Sequence, residues 1–404
     1  MILEEKKNTT LIIKGPSEIR VIKGIVSVFG CRIDQLSIAK EKTIPVYLEE
    51  DSTIEIPDNT FYIPVNGSTI PESWEKLVKK FRNKSNESFF IYGESDSGKS
   101  SIAAYLSNRL DGKKVIVDLD IGQASVSHPA SMGIGITDGR ITSISDVRVV
   151  DGAFVGSISP VGRETRCINA VMEIRKKIRK LEGWKIIDST GWIRGRRANE
   201  YKLAKISILE PTAIIAFKTP PFLDFIDCDV FMLESFAGKR SKNQRSSYRA
   251  EKYSKFLEGA SIIELNLKNL KSRWNPIGDR ISRDELEILK DILDTEVVYA
   301  GKGSYSLSIV TVSKVEVGRE VVRSIKEMFG IEDLLMLSKD DLDGLVVGFY
   351  AKDGRYLGFG LIRNIDFEKG LVEIQTSVSG EIARIEFAEF RLDDNRREIF
   401  LRSY

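Results

Sequence analysis

Apolar positions along this chain change their spacing several times. Over residues 1 to about 65, short β-branched runs alternate with turns: Thr10-Leu11-Ile12-Ile13, Ile19-Arg20-Val21-Ile22, Gly24-Ile25-Val26-Ser27-Val28-Phe29, Ile44-Pro45-Val46-Tyr47-Leu48 and Ser52-Thr53-Ile54-Glu55-Ile56. This is the pattern of a small all-β module. Trp74, Leu77, Val78 and Phe81 then recur on one face at helical spacing and predict a helix over 73–83. From Phe89 to about Leu267, strand-like runs (88–92, 114–118, 184–188, 213–217) alternate with helical ones (164–181, 198–209). Such alternation predicts a parallel sheet covered by helices, with its site at the carboxyl ends of the strands. After about Ala300 the runs are β-rich again, at 307–312, 344–350, 357–362 and 371–376, and Asp353-Gly354 between two of them is a hairpin signal. The expected organisation is an N-terminal β-rich domain over 1–70, an α/β domain over 71–300 and a C-terminal β-rich domain over 301–404.

Between the run ending at Tyr92 and the helical segment that follows lies Gly93-Glu94-Ser95-Asp96-Ser97-Gly98-Lys99-Ser100, then Ser101. Strand, Gly-rich turn and helix are the context that a phosphate-binding loop needs. The glycines let backbone N–H groups curl around phosphate oxygens, and the helix N-terminus adds a favourable dipole. Lys99 reaches the outer phosphates, and the Ser100 hydroxyl suits a Mg²⁺ that bridges two of them. The α/β domain is therefore expected to be a P-loop NTPase core that binds a nucleoside triphosphate, flanked by the two β-rich domains.

At 404 residues and 42% apolar content the chain is long enough for two or three domains with real cores. Its 61 basic and 59 acidic residues nearly cancel, so a nucleic-acid site must be a local patch rather than a global field. Cys31, Cys167 and Cys228 lie far apart without metal-ligand spacing, which argues against disulfides and zinc. With no signal peptide or membrane-length apolar run, the expectation is a soluble, cytoplasmic protein. His128 is the only histidine. A general base must then be a carboxylate, and His-based triads are excluded.

The run Val115-Ile116-Val117-Asp118-Leu119-Asp120 ends an apolar strand in two acids at i and i+2, on the same side of an extended chain. One can serve a metal shell while the other accepts a proton from an incoming hydroxyl, or one merely caps a turn. Trp192, in the Gly-bracketed loop after Asp188, either stacks on a base or packs in the core. Residues 239–252 concentrate basic side chains, with Arg245, Arg249 and Lys252 on one helical face. They read as a solvated surface or as a mobile lid whose arginines neutralise a migrating phosphoryl group.

The ordered set GESDSGKS (93–100), DLDIGQ (118–123), FVGSISP (154–160), STGWIRG (189–195) and RSKNQRSSYRAEKYSKF (240–256) resembles the Clp/Grc/Nol family of polynucleotide 5′-hydroxyl kinases. That family includes the RNA kinase subunit of the eukaryotic pre-mRNA cleavage factor. The segments GLVVGFYAKDGRYLGFGLIRNID (344–366) and VSGEIARIEF (378–387) resemble its last domain, so the likeness spans nearly the whole chain. The resemblance implies ATP-dependent transfer of the γ-phosphate to the 5′-hydroxyl of RNA, with single-stranded DNA as a further acceptor, Mg²⁺ as cofactor and RNA-processing proteins as partners. By the same resemblance Lys99 and Ser100 hold triphosphate and Mg²⁺, Asp118 stands near the metal shell, and Asp120 is the general base. Gln123 and Ser159 grip the terminal nucleotide, Trp192 stacks on its base, and Arg240 and Arg245 are lid arginines. Two other classes compete with this reading. A nucleotide-binding scaffold of an RNA-processing assembly needs only the loop, and a P-loop GTPase would carry an Asn/Thr-Lys-x-Asp guanine motif that the chain lacks.

Overall fold

The computed structural model describes residues 1–404 apart from 41, 236–240, 274–276, 402–403 and the side chain of 242. The chain divides into two units, one of Met1–Ala153 with Ser159–Tyr248, the other of Phe154–Ile158 with Arg249–Tyr404. In the first unit, the alternation in the N-terminal segment becomes a four-stranded and a five-stranded sheet. Leu11, Ile13, Ile19, Val26, Val46, Leu48 and Ile54, drawn from both sheets, are buried in one cluster. Alternate side chains of a strand point to opposite faces, so one inward-facing set suffices to build that core.

Helix α1 (Glu72–Phe81) follows and buries Trp74, Leu77, Val78 and Phe81, the stripe its spacing predicts. Its Phe81 ring meets Phe89 edge-on at 4.8 Å, and Phe89 lies 5.4 Å from Trp184. These aromatics belong to the core beneath a seven-stranded sheet. Its strands run in the order Arg148–Phe154, Ser131–Thr137, Lys114–Asp118, Trp184–Asp188, Ser88–Tyr92, Ala213–Ala216 and Asp229–Met232. Ser88–Tyr92 pairs in parallel with Trp184–Asp188 on one side and Ala213–Ala216 on the other. Lys114–Asp118 pairs in parallel with Trp184–Asp188. Helices α2 (Lys99–Arg109), α3 (Glu164–Ile178) and α4 (Arg196–Leu209) supply connections, so the expected P-loop core with β-rich flanks is borne out.

One strand departs from the all-parallel expectation. Ser131–Thr137 runs antiparallel to Lys114–Asp118, with Asp118 opposite Gly133 and Lys114 opposite Thr137. The reason is the connection, which contains no helix between Asp118 and Ser131. A parallel return needs a crossover, whereas a chain that turns back directly must pair antiparallel. Gly133 and Gly135 hide this strand in the sequence, yet both are required. A Cβ on Gly135 would lie 2.1 Å from Val147 Cγ2, and one on Gly133 2.9 Å from Ser127 Cβ.

The turn into that strand rests on His128, which is 1% exposed. Its Nδ1 donates to the Pro129 carbonyl at 2.7 Å, and Ser131 Oγ donates to the His128 carbonyl at 2.7 Å. Burial pulls the imidazole down to about 3, so it is neutral and structural at ordinary pH.

In the second unit, Ser261–Asn266, Leu371–Thr376, Tyr356–Asp366, Leu345–Tyr350, Arg384–Leu392 and Lys271–Arg273 form one sheet, with Glu398–Phe400 paired to Arg384–Leu392. Ser261–Asn266 thus pairs with Leu371–Thr376 and does not extend the P-loop sheet, although the strand–helix alternation had been read up to Leu267. The Asp353-Gly354 turn joins Leu345–Tyr350 to Tyr356–Asp366 in an antiparallel pair. A second, four-stranded sheet carries helices Arg283–Leu293 and Arg319–Phe329; the β-rich reading after about Ala300 did not foresee the second, and the first was not read as a helix. Each is amphipathic and buries few residues, Leu289 and Leu293 in one, Ile325 and Phe329 in the other. Among the described residues no helix is long and apolar enough to cross a membrane.

The buried histidine makes a pH prediction whose sign is fixed. The unfolded chain binds a proton near 6.5, whereas the folded protein resists protonation down to about 3. His128 therefore favours folding fully above 6.5, and that stability is lost as pH falls toward 3. Between pH 6.5 and 5 the effect should be about 2 kcal/mol. In denaturation titrations, His128→Asn should show a shallower fall in stability over this window than the native chain. Identical slopes for the two proteins would contradict the assignment.

Candidate active site

The phosphate loop is shaped by two residues in left-handed backbone, Asp96 (φ +62°) and Gly98 (φ +98°). Gly98 stands at the N-terminus of α2 and no side chain caps the helix there. The first-turn N–H groups, with the helix dipole behind them, suit an anion. Gly93 is needed because a Cβ would fall 2.6 Å from Ser97 Oγ. Lys99 is 7% exposed and lays its ammonium across its own loop, donating to the Glu94 carbonyl at 2.6 Å. The Glu94 side chain is held by Arg194 at 3.0 Å and Lys218 at 3.4 Å. Ser95 is contacted from the opposite loop, where a Cβ on Gly191 would sit 2.2 Å from Ser95 Oγ and 2.3 Å from its N. The loops 93–100 and 189–195 are thus in direct backbone contact.

The carboxylate that meets Ser100 is Asp188. Ser100 Oγ donates to Asp188 Oδ2 at 2.6 Å, while Asp188 Oδ1 is buried without a hydrogen-bond partner. Burial raises the Asp188 carboxyl, opposed by the Lys99 charge and the Ser100 hydroxyl. Asp118 is its register partner on the neighbouring strand, one strand farther from the phosphate-loop strand. Both Asp118 oxygens are engaged by backbone: Oδ1 accepts from Asp120 N at 2.9 Å, Oδ2 from Ser125 N at 2.5 Å and Val126 N at 3.1 Å. Burial and the Asp188 and Asp120 carboxylates push its carboxyl up to about 7, against the pull of those N–H groups. Asp118 organises the loop that carries the next acid.

Asp120 is that acid. It is half-buried, and its Oδ1 accepts from Gly122 N at 3.1 Å and Gln123 N at 3.0 Å. These two bonds fix the carboxylate without using Oδ2. Gln123 is also half-buried, and its Oε1 has no protein partner. Ser159 Oγ accepts from Val161 N at 3.3 Å. Trp192 is neither a core residue nor fully exposed; its ring lies 5.7 Å from Tyr201 of α4 at 37°. Lys202 of the same helix donates to Ser189 Oγ at 2.9 Å and to the Thr190 carbonyl, pinning the loop between Asp188 and Trp192.

Helix α5 (Lys242–Phe256) forms from the basic run. Arg245 reaches the phosphate loop, with Nη2 2.9 Å from Asp96 Oδ2. Tyr248, one turn on, donates its hydroxyl to the Ala124 carbonyl at 3.4 Å. Arg249 pairs instead with Glu398 at 2.6 Å within the second unit. Arg240 lies outside the described residues.

Residues 93–259 match the family description "mRNA cleavage and polyadenylation factor CLP1 P-loop". The polyribonucleotide 5′-hydroxyl-kinase of Pyrococcus furiosus is 27% identical over 82% of this chain and 95% of its own length. That of Methanocaldococcus jannaschii is 26% identical over 86% of this chain and 95% of its own. The P-loop core of this chain thus matches the Clp1 family, and over most of its length the chain is similar to polynucleotide kinases of that type. A Clp1p chain solved in complex with Pcf11p has the same fold, with a TM-score of 0.65 over 97% of each chain at 13% identity.

For this chain, sequence reasoning missed two residues of the site. Asp188 was visible only as the end of an apolar strand, and its place beside Ser100 follows from strand order, which no local pattern encodes. Lys202 carries no motif that sets it apart from other lysines, and it is fully buried. The close approach of Gly191 to Ser95 makes a direct test. Gly191→Ala should displace the phosphate loop and weaken ATP binding by about tenfold or more, the scale of an overpacking cost of about 1–3 kcal/mol. Calorimetric titration with ATP checks this, and unchanged affinity in the folded variant would show that the two loops move independently.

Proposed function

We propose that this protein is an ATP-dependent polyribonucleotide 5′-hydroxyl kinase that moves the γ-phosphoryl group of ATP to the 5′-OH of RNA. The observation that carries the reading is the contact of Arg245 with Asp96: an arginine from a separate helix reaches the mouth of the phosphate loop. A scaffold that only retains nucleotide needs the loop alone, whereas transfer needs mobile positive charge at the migrating group. The relatives named as polyribonucleotide 5′-hydroxyl-kinases support the acceptor class.

In this reading Lys99 and the α2 N-terminus hold the outer phosphates. A divalent cation, Mg²⁺ by preference, fits beside Ser100 and Asp188, because Asp188 Oδ1 is a buried anionic oxygen with no protein partner. When bound, it supplies charge neutralisation between phosphates. Among the described residues no cluster of three acids, histidines or cysteines offers an all-protein metal cage, in keeping with a cation shared with the triphosphate. We assign the metal-side role to Asp188 and leave Asp118 to brace the loop. Asp120 takes the proton from the 5′-hydroxyl, its carboxylate aimed by the Gly122 and Gln123 amides. Trp192, backed by Tyr201, offers a face to the terminal base, with Gln123 and Ser159 nearby in role. Arg245 neutralises the equatorial oxygens during transfer, and Arg240 is proposed as a second lid arginine.

Incubation with γ-labelled ATP and 5′-hydroxyl RNA and DNA oligomers tests the activity, with Lys99→Ala as the inactive control. Asp120→Asn should keep ATP binding yet lower turnover by about two to four orders of magnitude. If Asp120→Asn turns over normally while Asp118→Asn does not, the base has been misassigned. Trp192→Ala should weaken oligonucleotide binding by about 1–3 kcal/mol, similarly for all four terminal bases, with ATP affinity unchanged. Parallel losses of ATP affinity, RNA affinity and thermal stability would instead give the indole a packing role.

A further inference from the structure

The loop between Asp188 and α4 meets the phosphate loop at two places, one through backbone and one through charge. At the first, a Cβ on Gly191 would sit 2.3 Å from Ser95 N, so only glycine lets the two main chains approach this closely. At the second, Arg194 holds the Glu94 carboxylate through two nitrogens. Its Nε lies 3.1 Å from Oε1, and its Nη2 lies 3.0 Å from Oε1 and 3.2 Å from Oε2. Lys218, just after the strand Ala213–Ala216, adds a second cation to that carboxylate at 3.4 Å. Glu94 is thus engaged at both ends. Its carbonyl accepts from the Lys99 ammonium at 2.6 Å, and its side chain holds the arginine of the other loop.

Trp192 stands between the two contacts, one residue after Gly191 and two before Arg194. Its N–H donates to Thr190 Oγ1 at 3.1 Å, and Lys202 donates to the Thr190 carbonyl. The backbone on either side of the indole is therefore tied to the phosphate loop. The side chains of Arg194 and Glu94 are 75% and 28% exposed, and a pair that open to water adds little to fold stability. A forked guanidinium–carboxylate contact does fix orientation, so what this pair supplies is alignment.

We propose that Glu94 and Arg194 are positioning residues that couple the two substrates: a triphosphate seated in the loop orders the Trp192 platform through this ion pair, and an acceptor stacked on Trp192 in turn tightens the grip on the triphosphate. The inference rests on the reading of Trp192 as the acceptor's platform. The effect runs both ways by thermodynamic necessity, because a link that raises one affinity raises the other by the same factor. A side chain of the donor loop thereby sets affinity for the acceptor.

Binding of a labelled 5′-hydroxyl RNA oligomer tests it, followed by anisotropy with and without Mg²⁺ and a non-hydrolysable ATP analogue. The native protein should bind the oligomer more tightly when the analogue is present. In Arg194→Gln that enhancement should shrink by about two- to fivefold, the scale of an exposed ion pair, with the melting temperature near native. Arg194→Lys keeps the charge without the fork and should retain part of the enhancement. Glu94→Gln should reproduce Arg194→Gln, and the double variant should lose no more than either single one. If one variant fails to fold, the other carries the test. No enhancement in the native protein, or an undiminished one in the folded variants, overturns the proposal. An equal loss of RNA affinity with and without the analogue also overturns it, since that marks a direct contact of Arg194 with RNA. If Trp192→Ala binds RNA as the native chain does, the platform reading falls and this inference with it. Weakened binding in Trp192→Ala beside a native enhancement in Arg194→Gln removes this inference and leaves that reading standing.

Discussion

The parallel pairing of Ser88–Tyr92 with Trp184–Asp188 is the constraint on which the site depends. It sets Ile91 level with Asp188, so the strand that launches the phosphate loop and the strand that ends in an acid finish together. The loop then turns over the end of the sheet and starts α2, and the second helical residue, Ser100, falls within a hydrogen bond of that acid. On the far side the same strand pairs with Lys114–Asp118, and the matched register sets Asp118 beside Asp188. A slip of one residue in either pairing would turn each acid to the opposite face of the sheet. The positions of the loop, both acids and the Asp120 turn are consequences of two registers.

The second governing feature is charge held out of water. Asp118 and Asp188 end adjacent strands, Asp120 follows on the turn, and Lys99, Lys202 and Lys205 lie around them on two helices. All but Asp120 are buried. In a low-dielectric setting such groups are tolerable only as a balanced set with their hydrogen bonds largely made. The partners are mostly backbone: amides for Asp118 and Asp120, carbonyls for Lys99 and Lys202. Two atoms stand outside this accounting, Asp188 Oδ1 and Lys205 Nζ. The first is the atom that the proposed cation would meet.

Much of this was readable in the residues. The phosphate loop is local, and strand, glycines, lysine and helix all lie within one short segment. The α1 stripe and the Asp353-Gly354 hairpin are likewise local and turned out as expected. Most of what escaped depends on distant partners. Asp188 matters through its neighbours in the sheet, and Lys202 through burial that a lysine's identity argues against. Ser131–Thr137 escaped because Gly133 and Gly135 weaken its strand signature, although close packing against Val126, Ser127 and Val147 is the reason they are glycines. The helices Arg283–Leu293 and Arg319–Phe329 do carry apolar stripes, Leu286, Leu289 and Leu293 in one and Val322, Ile325 and Phe329 in the other, and escaped although their signal is local.

The ion pair between Arg245 and Asp96 has a thermodynamic corollary. Under the proposed lid role, a guanidinium that already holds a carboxylate of the phosphate loop through Nη2 would share or exchange that partner when a phosphate arrives. The favourable term is the difference between two ion pairs, and for a ground-state phosphate that difference is small. It widens only when the second anion presents geometry and charge that a carboxylate cannot imitate, as three spreading equatorial oxygens do. Under that proposed role Asp96 would act as a reference electrode for the arginine, subtracting a constant from every complex and leaving the residue sensitive mainly to the one in which phosphate is in flight.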